Sequence, residues 1–183
     1  MRGINVGGNN ILPMKTLRAL LEDIGAVQVS TYIQSGNAVF QHAESDAPDL
    51  ASQIRSTVAS HCGFDAHVLL IDVEDFDLAM RNNPFLKEAD DPKSVHLWFL
   101  SGCPVDPDLE GINAIKTESE AVLLKDRVFY LFAPDGIGRS KVAAKAERLL
   151  GVEATARNWR TACRVREMAG ALVIVTGTRR AAL

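Results

Sequence analysis

The sequence VQVSTYIQSGNAVF, at residues 27–40, decides the fold class. β-Branched residues alternate with other side chains over residues 27–34, which is the period of a β-strand. The tripeptide Ser35-Gly36-Asn37 predicts a tight turn, and residues 38–40 predict a second strand. The stretch therefore predicts a β-hairpin.

Helices are predicted on both sides of this hairpin. Residues 13–24 place apolar side chains at helical spacing and stop before Gly25, and residues 47–62 do the same between the capping residue Asp46 and Gly63.

Strands are predicted outside these helices, over residues 67–73 and, as the tail of a first strand, over residues 2–6. The resulting order is strand, helix, strand, strand, helix, strand, which is ferredoxin-like.

The remainder of the chain partly repeats this alternation. It predicts helices near 75–81, 109–116, 141–150 after the cap Ser140, and 159–169, strands at 94–100, 122–124, 128–132 and 173–176, and a tail at 177–183. We therefore predict an α+β fold of two closely packed ferredoxin-like halves, with antiparallel or mixed sheets and helices on one face. The halves are residues 1–85 and 86–183, and they form a single compact unit. An alternative is that the two halves are intertwined.

Composition excludes several classes of protein. The 183 residues are 47% hydrophobic and 23% charged, which is typical of a globular chain and not of collagen, bulk disorder or a disulfide-dense mini-protein. No apolar run is long enough to span a membrane, and the first residues lack the apolar core of a secretory signal. Three cysteines without a CxxC spacing predict reduced thiols in a cytoplasmic protein, and the four histidines show no metal-binding spacing. We expect no metal and no cofactor.

The net charge of −3 conceals a strong asymmetry. Residues 1–138 carry 10 basic and 20 acidic side chains, a net charge of −10, whereas residues 139–183 carry 10 basic and 3 acidic ones, a net charge of +7. The basic quarter can bind phosphates, or it can pair with the acidic part of the chain.

Three loops and one basic segment are candidate ligand-binding sites, because glycine permits close backbone approach and a helix amino end attracts anions. The candidate residues are Arg2, Asn5, Gly7, Gly8, Ser35, Gly36, Asn37, Gly136, Gly138, Arg139, Ser140, Lys141, Arg157 and Asn158.

Each candidate also has a purely structural interpretation. The glycines of the first loop can serve only a strand-to-helix turn, and residues 35–37 are explained by the hairpin turn, although Ser35 is a candidate nucleophile. The third loop can be a capped helix with solvated basic residues. Trp159, between basic neighbours, can stack on a base or belong to the core.

Five motifs occur in a fixed order: residues 2–8, 31–37, 83–85, 136–141 and 155–159. In these motifs and their order, the chain closely resembles a bacterial family known as domain of unknown function 1697. The resemblance covers the chain from Arg2 to about Ala169 and implies an α+β fold of two ferredoxin-like halves, but no activity. Family members usually have a few more residues before the first motif, so the resemblance implies either that the first strand is clipped here or that the start of the sequence was assigned late.

The leading hypothesis is a small binding protein for an anionic ligand: phosphate, a nucleotide or a short nucleic acid. Nucleic acid is the less favoured ligand because the total charge is acidic. One alternative is an enzyme acting on a phosphoryl or acyl group through Ser35 or Ser140, with Arg139 stabilising charge. Another is a structural or protein-interaction module without a ligand. No membrane partner is expected, and exposed sheet edges make a homodimer an open alternative.

Overall fold

The computed structural model describes residues 1–43, 46–87, 91–172 and 178–182. Over these residues the helices are α1 (Met14–Asp23), α2 (Ala47–Cys62), α3 (Val73–Arg81), α4 (Leu109–Ile115), α5 (Lys141–Leu150) and α6 (Trp159–Gly170). The strands are β1 (Val27–Tyr32), β2 (Asn37–His42), β3 (Ile71–Asp72), β4 (Val95–Leu100), β5 (Ala121–Lys125), β6 (Val128–Phe132), β7 (Ala154–Asn158) and β8 (Arg179–Ala182). Short 3-10 helices span Pro84–Lys87 and Ile137–Arg139.

Local sequence signals explain where the helices begin and end. The carboxylate of Asp46 accepts a hydrogen bond from the Asp49 amide at 3.0 Å at the start of α2. Gly63 ends that helix in the left-handed conformation, with φ of 74°. Gly151 ends α5 in the same way, with φ of 71°. The predicted capping residues are therefore confirmed.

Two four-stranded antiparallel sheets form the framework, and the predicted α+β fold class is confirmed. The chain divides into two compact units, Met1–Leu78 with Cys163–Leu183, and Ala79–Ala162. The sequence-based division had grouped residues 86–183 in one half.

The first unit contains the sheet of order β1-β2-β8-β3. Its core joins the apolar faces of α1 and α2 to one face of this sheet. The core includes Leu17 and Leu21 from α1, Ile54 from α2, Phe40 from β2 and Ala181 from β8. The two helices thus bury their apolar stripes against the hairpin and its partner strand.

The second unit follows the ferredoxin-like pattern in full, because strand, helix, two strands, helix and strand succeed one another from β4 to β7. The sheet order is β5-β6-β4-β7. The core packs one face of this sheet against α4 and α5 through residues such as Trp98, Leu131, Ile112, Val142 and Ala146.

Several local predictions are wrong. Residues 2–6 form bends and isolated bridges, Arg2 to His67 and Val6 to Asn9, and no strand. The predicted strand 67–73 shrinks to β3. Strand β7 was not predicted at all, and the predicted tail 177–183 contains β8, an interior strand of the first sheet. The predicted strand 173–176 lies outside the described residues.

Candidate functional site

The first two loops contact each other in the first unit through Asn5. Its Nδ2 donates to the carbonyl oxygens of Leu12 at 2.8 Å and Gln34 at 2.7 Å, and its Oδ1 accepts from the Leu12 amide at 2.8 Å. Asn5 has φ of 54°, a left-handed conformation that asparagine tolerates better than most residues. The structure therefore uses the whole Asn5 amide to fix the loop.

Gly36 is required by close packing as well as by its φ of 75°. A Cβ atom there would lie 2.7 Å from Cδ1 of Ile4 and 2.9 Å from Cβ of Met1. The Met1 amino group donates to the Gly36 carbonyl oxygen at 3.1 Å. This glycine makes room for the first loop, which is a structural reason for the Ser-Gly-Asn sequence.

The polar groups beside Gly36 also serve the turn. Asn37 is fully buried, and its Nδ2 donates to Oγ of Ser35 at 2.8 Å and to the Tyr32 carbonyl oxygen at 3.3 Å. An amide donor does not activate a hydroxyl group as a base would. Arg2, Gly7 and Gly8 lie on the exposed side of the first loop.

The remaining candidates converge at one end of the second sheet. The register pairs His96 of β4 with both Leu131 of β6 and Asn158 of β7, and the Ala133 amide donates to the Ser94 carbonyl oxygen at 2.8 Å. Because β4 is antiparallel to both neighbours, its amino end lies beside their carboxyl ends.

Helix α5 connects β6 to β7, which flank β4 on its two sides. The helix therefore crosses over β4, and its amino end lies at the end of the sheet where β6 stops. The shared core of Trp98, Val142 and Ala146 confirms that α5 packs on this face. We call this place, residues 136–141 together with His96 and Asn158, the α5 amino end.

The loop before α5 exposes its basic side chains. Gly136 has φ of 95°, and a Cβ atom at Gly136 or Gly138 would meet nothing within 4 Å. Oγ of Ser140 accepts from the Ala143 amide at 3.0 Å and so satisfies one of the free amides of the first turn. Arg139 and Lys141 are exposed, and the first turn carries no acidic residue.

The Arg157-Asn158 pair ends β7 at the same end of the sheet. Oδ1 of Asn158 accepts from the Thr161 amide at 2.9 Å and caps α6. A guanidinium nitrogen of Arg157 donates to the Ala156 carbonyl oxygen at 2.9 Å. Burial lowers the pKa of the Arg157 guanidinium to about 10, which leaves it protonated at neutral pH.

His96 is a site residue that sequence reasoning missed. It lies two positions before Trp98, so its side chain points to the face on which α5 packs, and the two rings are 5.9 Å apart. The side chain is 6% exposed, and its Nδ1 atom is buried without a hydrogen-bond partner among the described residues. Burial lowers the pKa of His96, against a smaller opposing effect of the nearby Ser94 backbone, and this favours the neutral ring at pH 7. Its position in an apolar strand gave no motif signal.

The basic quarter of the chain is partly neutralised within the fold. Four of its arginines form ion pairs, namely Arg164 with Glu167, Arg166 with Asp77, Arg179 with Asp72 and Arg180 with Glu74. In contrast, Arg139 and Lys141 form no ion pair with any described residue. Unpaired positive charge therefore lies beside the α5 amino end.

The candidates thus form two groups, each within its own unit. The first loop and the hairpin turn belong to the first unit, and the third loop with Arg157 and Asn158 belongs to the second. Among the described residues there is no cluster of three or more potential metal ligands, and no helix is long and apolar enough to cross a membrane.

The fold and the site define a class: an α+β protein with two four-stranded antiparallel sheets and an unpaired basic loop at the amino end of a helix. Within that class the chain belongs to the family described as protein of unknown function, DUF1697, whose model matches residues 1–130. The resemblance drawn from the five motifs is therefore confirmed.

Comparison with solved structures shows the same fold in a conserved bacterial protein of Streptococcus pneumoniae, SP0830. The TM-score is 0.68 with 24% sequence identity, and the match covers 91% of this chain and 94% of that chain. A search of curated proteins finds no match.

Proposed function

We propose that this protein binds a phosphate-bearing anionic ligand at the α5 amino end. The observation that carries the proposal is the buried Nδ1 atom of His96, which has no partner among the described residues. His96 lies in β4 at the end of the sheet where α5 begins, on the face against which α5 packs, and the start of α5 carries unpaired basic side chains. A buried polar atom without a partner is costly, and a ligand that supplies the partner removes that penalty.

The surrounding groups suit a phosphate. The first amides of a helix point outward and carry partial positive charge, and Ser140 occupies only one of them. Arg139 and Lys141 supply charge-assisted donors on the exposed side. Nδ1 of the neutral His96 ring donates or accepts a hydrogen bond according to the tautomer.

Isothermal titration calorimetry with inorganic phosphate and with a nucleoside triphosphate tests the proposal. In the R139Q/K141Q variant the affinity should fall at least about 10-fold, because two charge-assisted contacts of roughly 1.5 kcal/mol or more each are removed. The matched control is K15Q/R18Q, which removes the same charge from two exposed residues of α1. The proposal fails if neither ligand binds, or if both double variants weaken binding equally.

A further inference from the structure

Helix α5 carries a basic stripe that continues from the α5 amino end. Lys141, Lys145 and Arg148 follow one another at spacings of four and three residues, which places them on one helix face. All three are exposed. The apolar residues of α5, such as Val142, Ala146 and Leu150, occupy a different face and are buried. The stripe is thus directed away from the core.

The charge of this stripe is not neutralised within the described part of the chain. Lys145 and Arg148, like Lys141, form no ion pair or side-chain hydrogen bond there. Glu147, the single acidic residue of α5, is half-buried, and its carboxylate accepts a hydrogen bond from the Ala154 amide at 2.7 Å. In contrast to the stripe, the basic side chains of β8 and most of those of α6 form ion pairs with carboxylates.

The stripe is longer than a single phosphate group. With a rise of about 1.5 Å per residue, Lys141 and Arg148 are separated by roughly 10 Å along the helix axis. One strand of a duplex places a phosphate about every 3.4 Å along the axis, and an extended single strand spaces its phosphates more widely, so about two to three successive phosphates match this length. A lone phosphate at the α5 amino end leaves Lys145 and Arg148 unused.

Acidic residues limit the stripe at its far end. The Asp108 amide donates to the Leu149 carbonyl oxygen at 2.7 Å, which places the loop before α4 beside the carboxyl end of α5. This loop exposes Asp106 and Asp108, and the first turn of α4 exposes Glu110. Their charge repels phosphates, so a bound strand should run from the α5 amino end to Arg148 and no further.

We propose that the stripe Lys141, Lys145 and Arg148 binds the phosphodiester backbone of a single-stranded nucleic acid, one of whose phosphates occupies the α5 amino end. The proposal rests on the proposed function and adds the class of ligand. Contacts of this kind hold the strand by charge and carry no base specificity.

Fluorescence anisotropy with a labelled single strand of about 12 nucleotides and mixed sequence tests this proposal. The K145Q/R148Q variant should bind at least about 10-fold more weakly than wild type, and its slope of log affinity against log salt should be shallower by about 1.4, since each lost phosphate contact contributes roughly 0.7. The control K15Q/R18Q should keep the wild-type slope.

Calorimetry with inorganic phosphate on the same K145Q/R148Q protein separates the two proposals. Wild-type phosphate affinity, together with weakened strand binding, supports the stripe. Strand binding equal to that of wild type overturns the stripe and leaves the phosphate site standing, whereas absence of phosphate binding in the wild type overturns the proposed function. Displacement of the strand by poly-glutamate at equal charge would show an acidic-protein surface instead, and would also overturn the stripe.

Discussion

Three asparagines that the sequence offered as ligand contacts hold the backbone in place. Asn5 joins two loops, Asn37 fixes the hairpin turn, and Asn158 caps α6. Asparagine suits these positions because its side chain is short, carries both a donor and an acceptor, and tolerates left-handed backbone. A residue type can thus indicate a special backbone position without indicating a ligand.

Asn5 should contribute strongly to stability. Asn5→Ala removes three hydrogen bonds of about 1 kcal/mol each, so urea denaturation should show a loss of roughly 2 to 3 kcal/mol. Asn9→Ala is the matched control, because Asn9 is exposed and its main-chain amide makes the local hydrogen bond. Equal stability of the two variants would contradict this role.

His96 should make stability depend on pH. Its pKa is lower in the folded protein than the ordinary 6.5. As pH falls, the ring is therefore protonated in the unfolded chain before it is protonated in the folded chain. The contribution of His96 is complete above about pH 6.5 and is lost as pH falls towards the folded pKa. Denaturation at a series of pH values should show a smaller loss on acidification in H96Q than in wild type.

The control for this experiment is H61Q, which replaces an exposed histidine of α2. It should lose stability on acidification as wild type does. A difference between H96Q and wild type that stays constant over the whole pH range would contradict the assignment.

At the scale of secondary-structure elements, helices were predicted better than strands. Helices α2 and α5 and strand β6 have the predicted bounds, and the ends of α1 and α6 shift by only one residue. Caps and apolar periodicity are local signals, and they are present in these segments. The failures, at β3, β7 and β8, are short strands whose sequences lack an alternating pattern. Such segments become strands because a neighbour pairs with them.

The start of α5 offers a test at this scale. Ser140→Ala removes the cap on the Ala143 amide and should lower stability by about 1 kcal/mol in thermal or urea denaturation. Ser140→Asn retains a capping oxygen and should recover most of this loss. If the alanine variant is as stable as wild type, Ser140 does not cap the helix in solution.

At the scale of the whole molecule, the chain returns at its end to the sheet with which it began. Strand β8 pairs with both β2 and β3, and Ala181 belongs to the core of the first unit. Two ion pairs join β8 to the segment that follows it in space: Arg179 pairs with Asp72 at the end of β3, and Arg180 pairs with Glu74 at the start of α3. The guanidinium of Arg180 lowers the pKa of the Glu74 carboxyl.

Replacement of Ala181 should therefore disrupt the first sheet. Ala181→Asp places a carboxylate in a fully buried position and should reduce the free energy of unfolding by more than about 3 kcal/mol. Hydrogen exchange should rise at β2 and β3, the partners of β8. Arg180→Ala, which removes an ion pair to the exposed Glu74, should change stability by less than about 1 kcal/mol. Wild-type stability of A181D would show that β8 is not part of the sheet in solution.

The sequence by itself determined the α+β class, the hairpin, the caps of α2 and α5 and the family, because periodicity, turn residues and ordered motifs are all local features. Only the tertiary structure decided which strands pair and which polar atoms lie buried. It inserted β8 between β2 and β3, and it set His96 under α5 beside Asn158. Pairing between residues more than a hundred positions apart, as between Asp72 and Arg179, depends on the packing of the whole chain, which no local pattern records.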